Sequence, residues 1–289
     1  MSMSRRSFMG QIAAGAVLST VRGAAAERRI ERLGVQLYTV RDLMAKDFEG
    51  TLAKVADLGY KEVEFAGYFD RSPQDVKAIL ARHGLTSPST HIDYASLGDA
   101  FEKVLDASRT IGHRYIVNPW LDEEMRKQPD VWKRVAATFN RAGEMTRKAG
   151  MQFAYHNHHF EFVPVGGTVP YDLLLKECDP ELVKMELDLC WITVAGKDPL
   201  TYFERYPGRF PLVHVKGLRK MPSGTAPVPF DTAIPNITDV GSGDIIDWKR
   251  IFAASDRAGI RHYFVEHDQP AAPLDSLRAS AKYLTALRF

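Results

Sequence analysis

The stretch Lys148–Phe162, KAGMQFAYHNHHFEF, decides the fold. A helical pattern ends at Ala149, Gly150 follows, and the apolar run Met151–Tyr155 begins at once. Glycine just past a helix takes the left-handed conformation without a Cβ penalty, so Gly150 reads as a helix terminator. The apolar run is short, bounded by punctuation, and reads as a buried strand that stops at His156. His158 shares a face with His156 because strand side chains alternate, whereas His159 has the opposite parity and is expected outside a ligand set.

The same unit recurs along the chain. Gly59 (DLGYKEVEF), Gly84 (RHGLTSPSTH), Gly112 (TIGHRYIVN) and Gly259 (RAGIRHYFVEH) each end a helical pattern and open an apolar strand. Two further units break at Cys178–Pro180 and at Tyr206–Gly208. With the opening run Leu33–Leu37 they make eight strands. Helical patterns fall between them at Thr51–Leu58, Pro73–Arg82, Leu97–Ile111, Val131–Ala149, Pro199–Tyr206, Asp247–Ala258 and Pro273–Leu287. Alternating strands and helices predict the α/β class with a parallel sheet. Eight units predict closure into a single (β/α)8 TIM barrel. The rival, an open doubly wound sheet, lacks a glycine-rich dinucleotide fingerprint after its first strand.

Bulk properties agree with one large domain. The chain has 289 residues, of which 45% are apolar. Three of its 38 basic residues lie in 1–26, so the remainder carries 35 basic against 36 acidic residues. A nucleic-acid binder should show a basic surplus, and none is present. Cys178 and Cys190 each lie beside a strand and lack zinc-site spacing, so two buried thiols are expected. Residues 1–26 read as a twin-arginine export signal: Ser4–Met9 (SRRSFM), a mild apolar stretch Ile12–Val21, and Ala24–Ala26 as a cleavage-type site. The mature domain is then 27–289, with an expected periplasmic location and no membrane anchor after cleavage.

Barrels of this kind build their site at the C-terminal ends of the strands. Those ends deliver Tyr38, Glu64, His91, Asn118, His156 with His158, Glu186 with Asp188, His214 with Lys216, and Glu266 with Asp268. An isolated charge on a buried strand is costly, so Asp188 and Glu266 need a cation or a metal. Together with His156 and His214 they form a candidate set of four metal ligands. Mixed carboxylate and imidazole donors suit Mn, Zn, Co or Fe. Such an ion polarises a carbonyl, and Glu266, His156 or Lys216 are the candidate catalytic groups for moving the adjacent proton. His158, Glu64, His91, Asn118, Trp120 and Trp191 are candidate substrate contacts. Lys216 reads equally as a holder of a substrate oxygen or as a solvated rim charge. The Pro-rich insertion Gly217–Asp239 is long enough to be a functional loop over the mouth. Asp247 reads as the N-cap of the helix that follows.

The motifs Glu186–Asp188 (ELD), Leu212–Lys216 (LVHVK), Gly241–Trp248 (GSGDIIDW) and Phe264–His267 (FVEH) resemble the xylose-isomerase-like TIM-barrel family, often called sugar phosphate isomerases/epimerases. The resemblance spans roughly 30–289. Related ketose 3-epimerases hold a divalent metal with Glu, Asp, His and Glu, which implies Asp188, His214 and Glu266 here. The first position falls on His156, a departure that removes one of the two carboxylates such epimerases use as paired acid-base groups. Trp191 stands where the family often has a histidine. The family also contains inosose dehydratases and enzymes that cleave 3-keto-glycosides. The resemblance therefore implies an enzyme that removes a proton next to a carbonyl. The first expectation is an isomerase or epimerase of an unphosphorylated keto-sugar. The alternatives are a lyase acting by β-elimination or dehydration, and a non-catalytic periplasmic sugar-binding barrel. The expected partners are a small sugar and a second copy of the chain.

Overall fold

The computed structural model describes residues 27–128, 130–224 and 228–289. Eight parallel strands close into a barrel: β1 Leu33–Gln36, β2 Glu62–Phe65, β3 Thr86–His91, β4 Tyr115–Asn118, β5 Gln152–His156, β6 Val183–Asp188, β7 Leu212–Val215 and β8 His262–Val265. Each strand pairs with its sequence neighbour, and β1 closes the ring against β8. The expected (β/α)8 architecture is therefore present. The twin-arginine signal expected at 1–26 lies outside the described residues. No described helix is long and apolar enough to cross a membrane.

Local chemistry explains the punctuation. The five glycines that open strand units, Gly59, Gly84, Gly112, Gly150 and Gly259, all have positive φ. Ser72 caps Pro73–Arg82 by accepting from the Asp75 amide, and Asp247 caps Trp248–Ala253 by accepting from the Arg250 amide. Five short helices lack a strong sequence pattern and were not expected: Arg41–Lys46, Glu123–Arg126, Pro170–Glu177, Leu189–Val194 and Phe230–Ala233. Pro170–Glu177 is short, and Leu189–Val194 starts directly from the last residue of β6.

The barrel interior is layered. Val117, Ala154, Leu212 and Phe264 form an apolar plug in its middle. Gly34 makes room for it, because a Cβ there would lie 2.5 Å from the Phe264 ring. A polar layer lies above the plug. Register seats Gln36 beside Glu64, His156 beside Glu186, and Asp188 beside His214. The larger core lies between the barrel and its helices, where Leu52, Val55, Phe139, Leu174, Phe203 and Leu277 are fully buried.

The insertion after β7 begins as a two-stranded antiparallel ribbon, Gly217–Leu218 with Ile237–Thr238. A short helix, Phe230–Ala233, follows within it. Both cysteines are buried and free.

Candidate metal centre and active site

Five carboxylates converge above the apolar plug: Glu64, Glu186, Asp188, Glu266 and Asp268, all buried. Lys216 and the rings of His91, His156 and His214 lie among them. One lysine against five acids leaves a strong negative excess, and burial makes such an excess untenable without protons or a cation.

His214 is the hub. Its Nε2 lies 2.8 Å from Glu64 Oε1 and its Nδ1 lies 2.8 Å from Glu266 Oε2. Burial opposes its charge, but Glu186, Glu266 and Glu64 outweigh burial and hold it well above the ordinary histidine range. His91 Nε2 lies 2.8 Å from Glu186 Oε2 and 3.0 Å from Glu64 Oε1. Against burial, those carboxylates raise His91 to about 9. Burial and the nearby Glu64 charge push Glu186 up to about 7. His156 goes the other way: burial, and then His214 and His158, drive it well below its usual value. It is a neutral imidazole in a crowd of acids, with its Nδ1 unpartnered.

Asp188 has two jobs. Its Oδ1 accepts from the amides of Cys190 and Trp191 and so starts the helix Leu189–Val194. Its Oδ2 turns into the cluster without a hydrogen bond, 3.0 Å from Lys216 Nζ. Lys216 also lies 2.8 Å from Glu266 Oε2 and donates to both oxygens of Asp268. Burial works against the ammonium, but Asp188, Asp268 and Glu266 hold it charged. Lys216 is buried, so the rim reading is excluded.

Donor atoms fall into two groups that share His214. One comprises Asp188, His214 and Glu266; the other comprises His91, His156, Glu186 and His214. Three of the four expected ligands thus gather together. His156 sits in the second group, although its Nε2 is 3.8 Å from Asp188 Oδ2. Asp188, Glu186 and Glu64 each keep a buried oxygen without a hydrogen-bond partner, and that of Asp188 lies in the cluster, so the donor set fits a divalent ion. Were His214 a ligand, Glu64 would serve as the carboxylate that commonly accepts from the other nitrogen of a metal-bound histidine.

Several expectations change. Glu64 and His91, candidate substrate contacts, lie in the cluster itself, 3.0 Å apart. Asn118 faces away from the barrel interior, because the inward position on β4 is Val117; its amide donates to the Ile92 carbonyl. At the end of β1, Gln36 is the inward residue, donating to Glu64 at 2.7 Å, while Tyr38 is 43% exposed. Glu186 was paired with Asp188 by parity yet not chosen as a site residue, and it proves central.

Aromatic side chains close the mouth. Trp191 is fully buried under Phe230, with ring centroids 4.7 Å apart. Phe230 also lies 5.7 Å from His158, and His159 donates to the Val228 carbonyl at 2.7 Å, away from the cluster. Val228 and Phe230 of the insertion thus pack on His158, His159 and Trp191 beside the cluster. Trp120 is 37% exposed at the rim and meets the His158 ring edge-on at 5.0 Å. His158 in turn lies 5.0 Å from His156, on the path from rim to cluster.

The family model of the xylose isomerase-like TIM barrel matches residues 52–287. The chain belongs to this family. Its resemblance to that family in the strand-end motifs is thus shown over most of its length. Seven relatives named inosose dehydratase match the chain. The one from Lacticaseibacillus casei is 27% identical over 267 residues, covering 83% of this chain and 89% of that protein. A crystal structure of a sugar phosphate isomerase/epimerase from Parabacteroides distasonis superposes with a TM-score of 0.74 at 27% identity, covering 94% of this chain and 98% of that one. The IOLI protein, crystallised with a bound zinc atom, shares the fold at 14% identity, with a TM-score of 0.69 over 87% of this chain and 95% of that one. These relatives support an enzyme; those found by sequence are named as dehydratases, not as the isomerase first expected.

Proposed function

We propose that this family member is a metal-dependent lyase that dehydrates a keto-polyol of the inosose kind. The observation that carries this reading is the match to relatives named inosose dehydratase over about four-fifths of the chain. The residues in the cluster suit the chemistry. Asp188, His214 and Glu266 would hold the ion, which would supply Lewis-acid polarisation of the substrate carbonyl.

The remaining work falls to side chains. His156 is neutral and unpartnered at Nδ1, so it can accept the proton from the carbon next to the carbonyl. The Lys216 ammonium is placed to hold the oxygen on which negative charge develops. The resulting C=C bond forms as the β-hydroxyl leaves. His156 returns its proton to that hydroxyl, so one water is lost and the histidine is restored. A single base suffices, which agrees with a histidine standing where an epimerase carries a carboxylate. Phe230 and Trp191 shield this chemistry from solvent.

Isomerisation is the second reading, favoured by the Parabacteroides distasonis structure, and it shares the first proton transfer. The discriminating experiment incubates the Mn²⁺-loaded protein with inososes and reads products by mass spectrometry. Loss of one water supports the dehydratase. A product of unchanged mass in ordinary water, made heavier by deuterium next to the carbonyl when the reaction is run in D2O, refutes it in favour of isomerisation. An exported location is part of the proposal and rests on residues 1–26; it would make unphosphorylated substrates the natural class. Fractionation of cells that make the full chain, with the mature N-terminus sequenced, tests it.

A further inference from the structure

Lys216 touches the same oxygens that would ligate the ion. Its Nζ lies 3.0 Å from Asp188 Oδ2 and 2.8 Å from Glu266 Oε2. Glu266 Oε2 is also the atom facing His214 Nδ1, and Asp188 Oδ2 lies 3.9 Å from that nitrogen. The ammonium also donates to Asp268, at 3.3 Å to Oδ1 and 3.2 Å to Oδ2, longer than its contacts to Glu266 and Asp188. Asp268 is buried, and nothing in the chemistry above uses it.

Charge decides how the two cations coexist. A divalent ion and an ammonium bring three positive charges. The three carboxylates that touch Lys216, namely Asp188, Glu266 and Asp268, bring three negative ones, while Glu64 and Glu186 face His91 and His214. Without Asp268, Asp188 and Glu266 alone would touch both cations in a buried space, where repulsion is weakly screened. We propose that Lys216 competes with the divalent ion for Asp188 and Glu266, and that Asp268 is the seat that takes the ammonium when the ion binds. This inference rests on the metal reading above. In it Asp268 is a positioning residue. It acts through Lys216, and it keeps the ammonium beside the substrate oxygen instead of on the ion's ligands.

A lysine that merely organises its carboxylates predicts the opposite sign. Removing it would then loosen the site. The test is calorimetric titration of the metal-stripped full chain with Mn²⁺ alone, so it reads affinity and not turnover. Lys216→Met should bind Mn²⁺ roughly tenfold tighter or more, because a like charge beside the ion is gone. Asp268→Asn should bind it roughly tenfold more weakly, because the ammonium loses its seat. In the Lys216→Met/Asp268→Asn double variant the Asp268 effect should vanish, since no ammonium remains to seat. Lys216→Gln, neutral and polar, serves if the methionine variant does not fold.

Mn²⁺ binding that is unchanged or weaker in both Lys216 variants overturns the competition. A penalty from Asp268→Asn that persists in the double variant overturns the seat. Wild-type protein that takes up no Mn²⁺ fails the metal reading itself, and this inference with it. Wild-type binding that ignores the Lys216 substitutions fails the inference alone.

Discussion

Glu64 Oε1 lies 2.8 Å from His214 Nε2, although the two residues are 150 positions apart in sequence. Gln36 donates to the same Glu64 oxygen at 2.7 Å, so the carboxylate is fixed from β1 while it orients the ring on β7. A carboxylate behind a metal-ligating histidine sets its tautomer and raises its donor strength. Glu64→Gln keeps the shape and removes the charge. Its Mn²⁺ affinity should fall roughly 10–100-fold, read by calorimetry, with thermal unfolding close to wild type. Unchanged affinity would mean that the ion does not use His214.

Glu266 faces His214 at 2.8 Å and Lys216 at 2.8 Å. Those cations outweigh burial and hold its carboxyl well below the usual range. Glu266→Gln should abolish turnover of an inosose and weaken Mn²⁺ uptake while circular dichroism stays native. Turnover at the wild-type rate would remove Glu266 from the site.

Much of this arrangement was legible in local sequence. A glycine after five of the helical patterns and a polar residue after each strand located the barrel and the end that carries the site. The misses come from contacts across the barrel and from where each strand ends. Glu186 shares the parity of Asp188, so the alternation rule already pointed it inward. Its partner His91 is 95 residues away, and no local pattern announces that pairing. Asn118 was misplaced because a strand end fixes position but not parity, and one residue's shift exchanges Val117 for Asn118; Tyr38 was misplaced because the strand stops at Gln36 and the chain turns at once into the 3-10 helix Leu37–Val40. Leu189–Val194 was missed because it is six residues long and capped by the strand's own Asp188, which leaves no separate start signal.

Gly34 should resist substitution. A methyl group there would lie 2.5 Å from one Phe264 ring carbon and 2.8 Å from another, inside the barrel plug. Gly34→Ala should lower stability by about 1–3 kcal/mol through overpacking, measured as a shift of the urea midpoint. A paired Phe264→Leu change should recover part of that loss. Full stability in the single variant would show that the plug has slack.

His113 supplies a pH dependence away from the metal cluster. Its ring is buried, with Nδ1 2.8 Å from the Ser87 carbonyl and Nε2 2.9 Å from the Tyr68 hydroxyl. Burial lowers it to about 4 from an ordinary 6.5. Between those values the unfolded chain binds a proton that the folded chain refuses, so stability rises with pH across the window. The stabilisation is complete above 6.5 and is lost on acidification towards 4, about 3 kcal/mol in all. His113→Gln keeps polar contacts without a titrating group. The difference in urea stability between wild type and this variant should shrink as pH falls from 6.5 to 4. A difference that stays constant with pH would mean that His113 titrates normally.

The last prediction separates the two roles open to His156. Its ring centroid lies 4.3 Å from that of His214, yet its donor atoms group with His91, Glu186 and His214, apart from Asp188, His214 and Glu266. As the base, it is replaced at a large kinetic cost and a small thermodynamic one. His156→Gln should then lower kcat roughly 100–10,000-fold and stop solvent deuterium from entering the substrate. Mn²⁺ affinity should change little. If Mn²⁺ affinity collapses together with kcat, His156 is a ligand. The proton then passes to His158, whose ring lies 5.0 Å away on the side of the rim and whose Nδ1 is also unpartnered. His158→Gln would show the kinetic signature in its place, so measuring both variants against both readouts assigns the base.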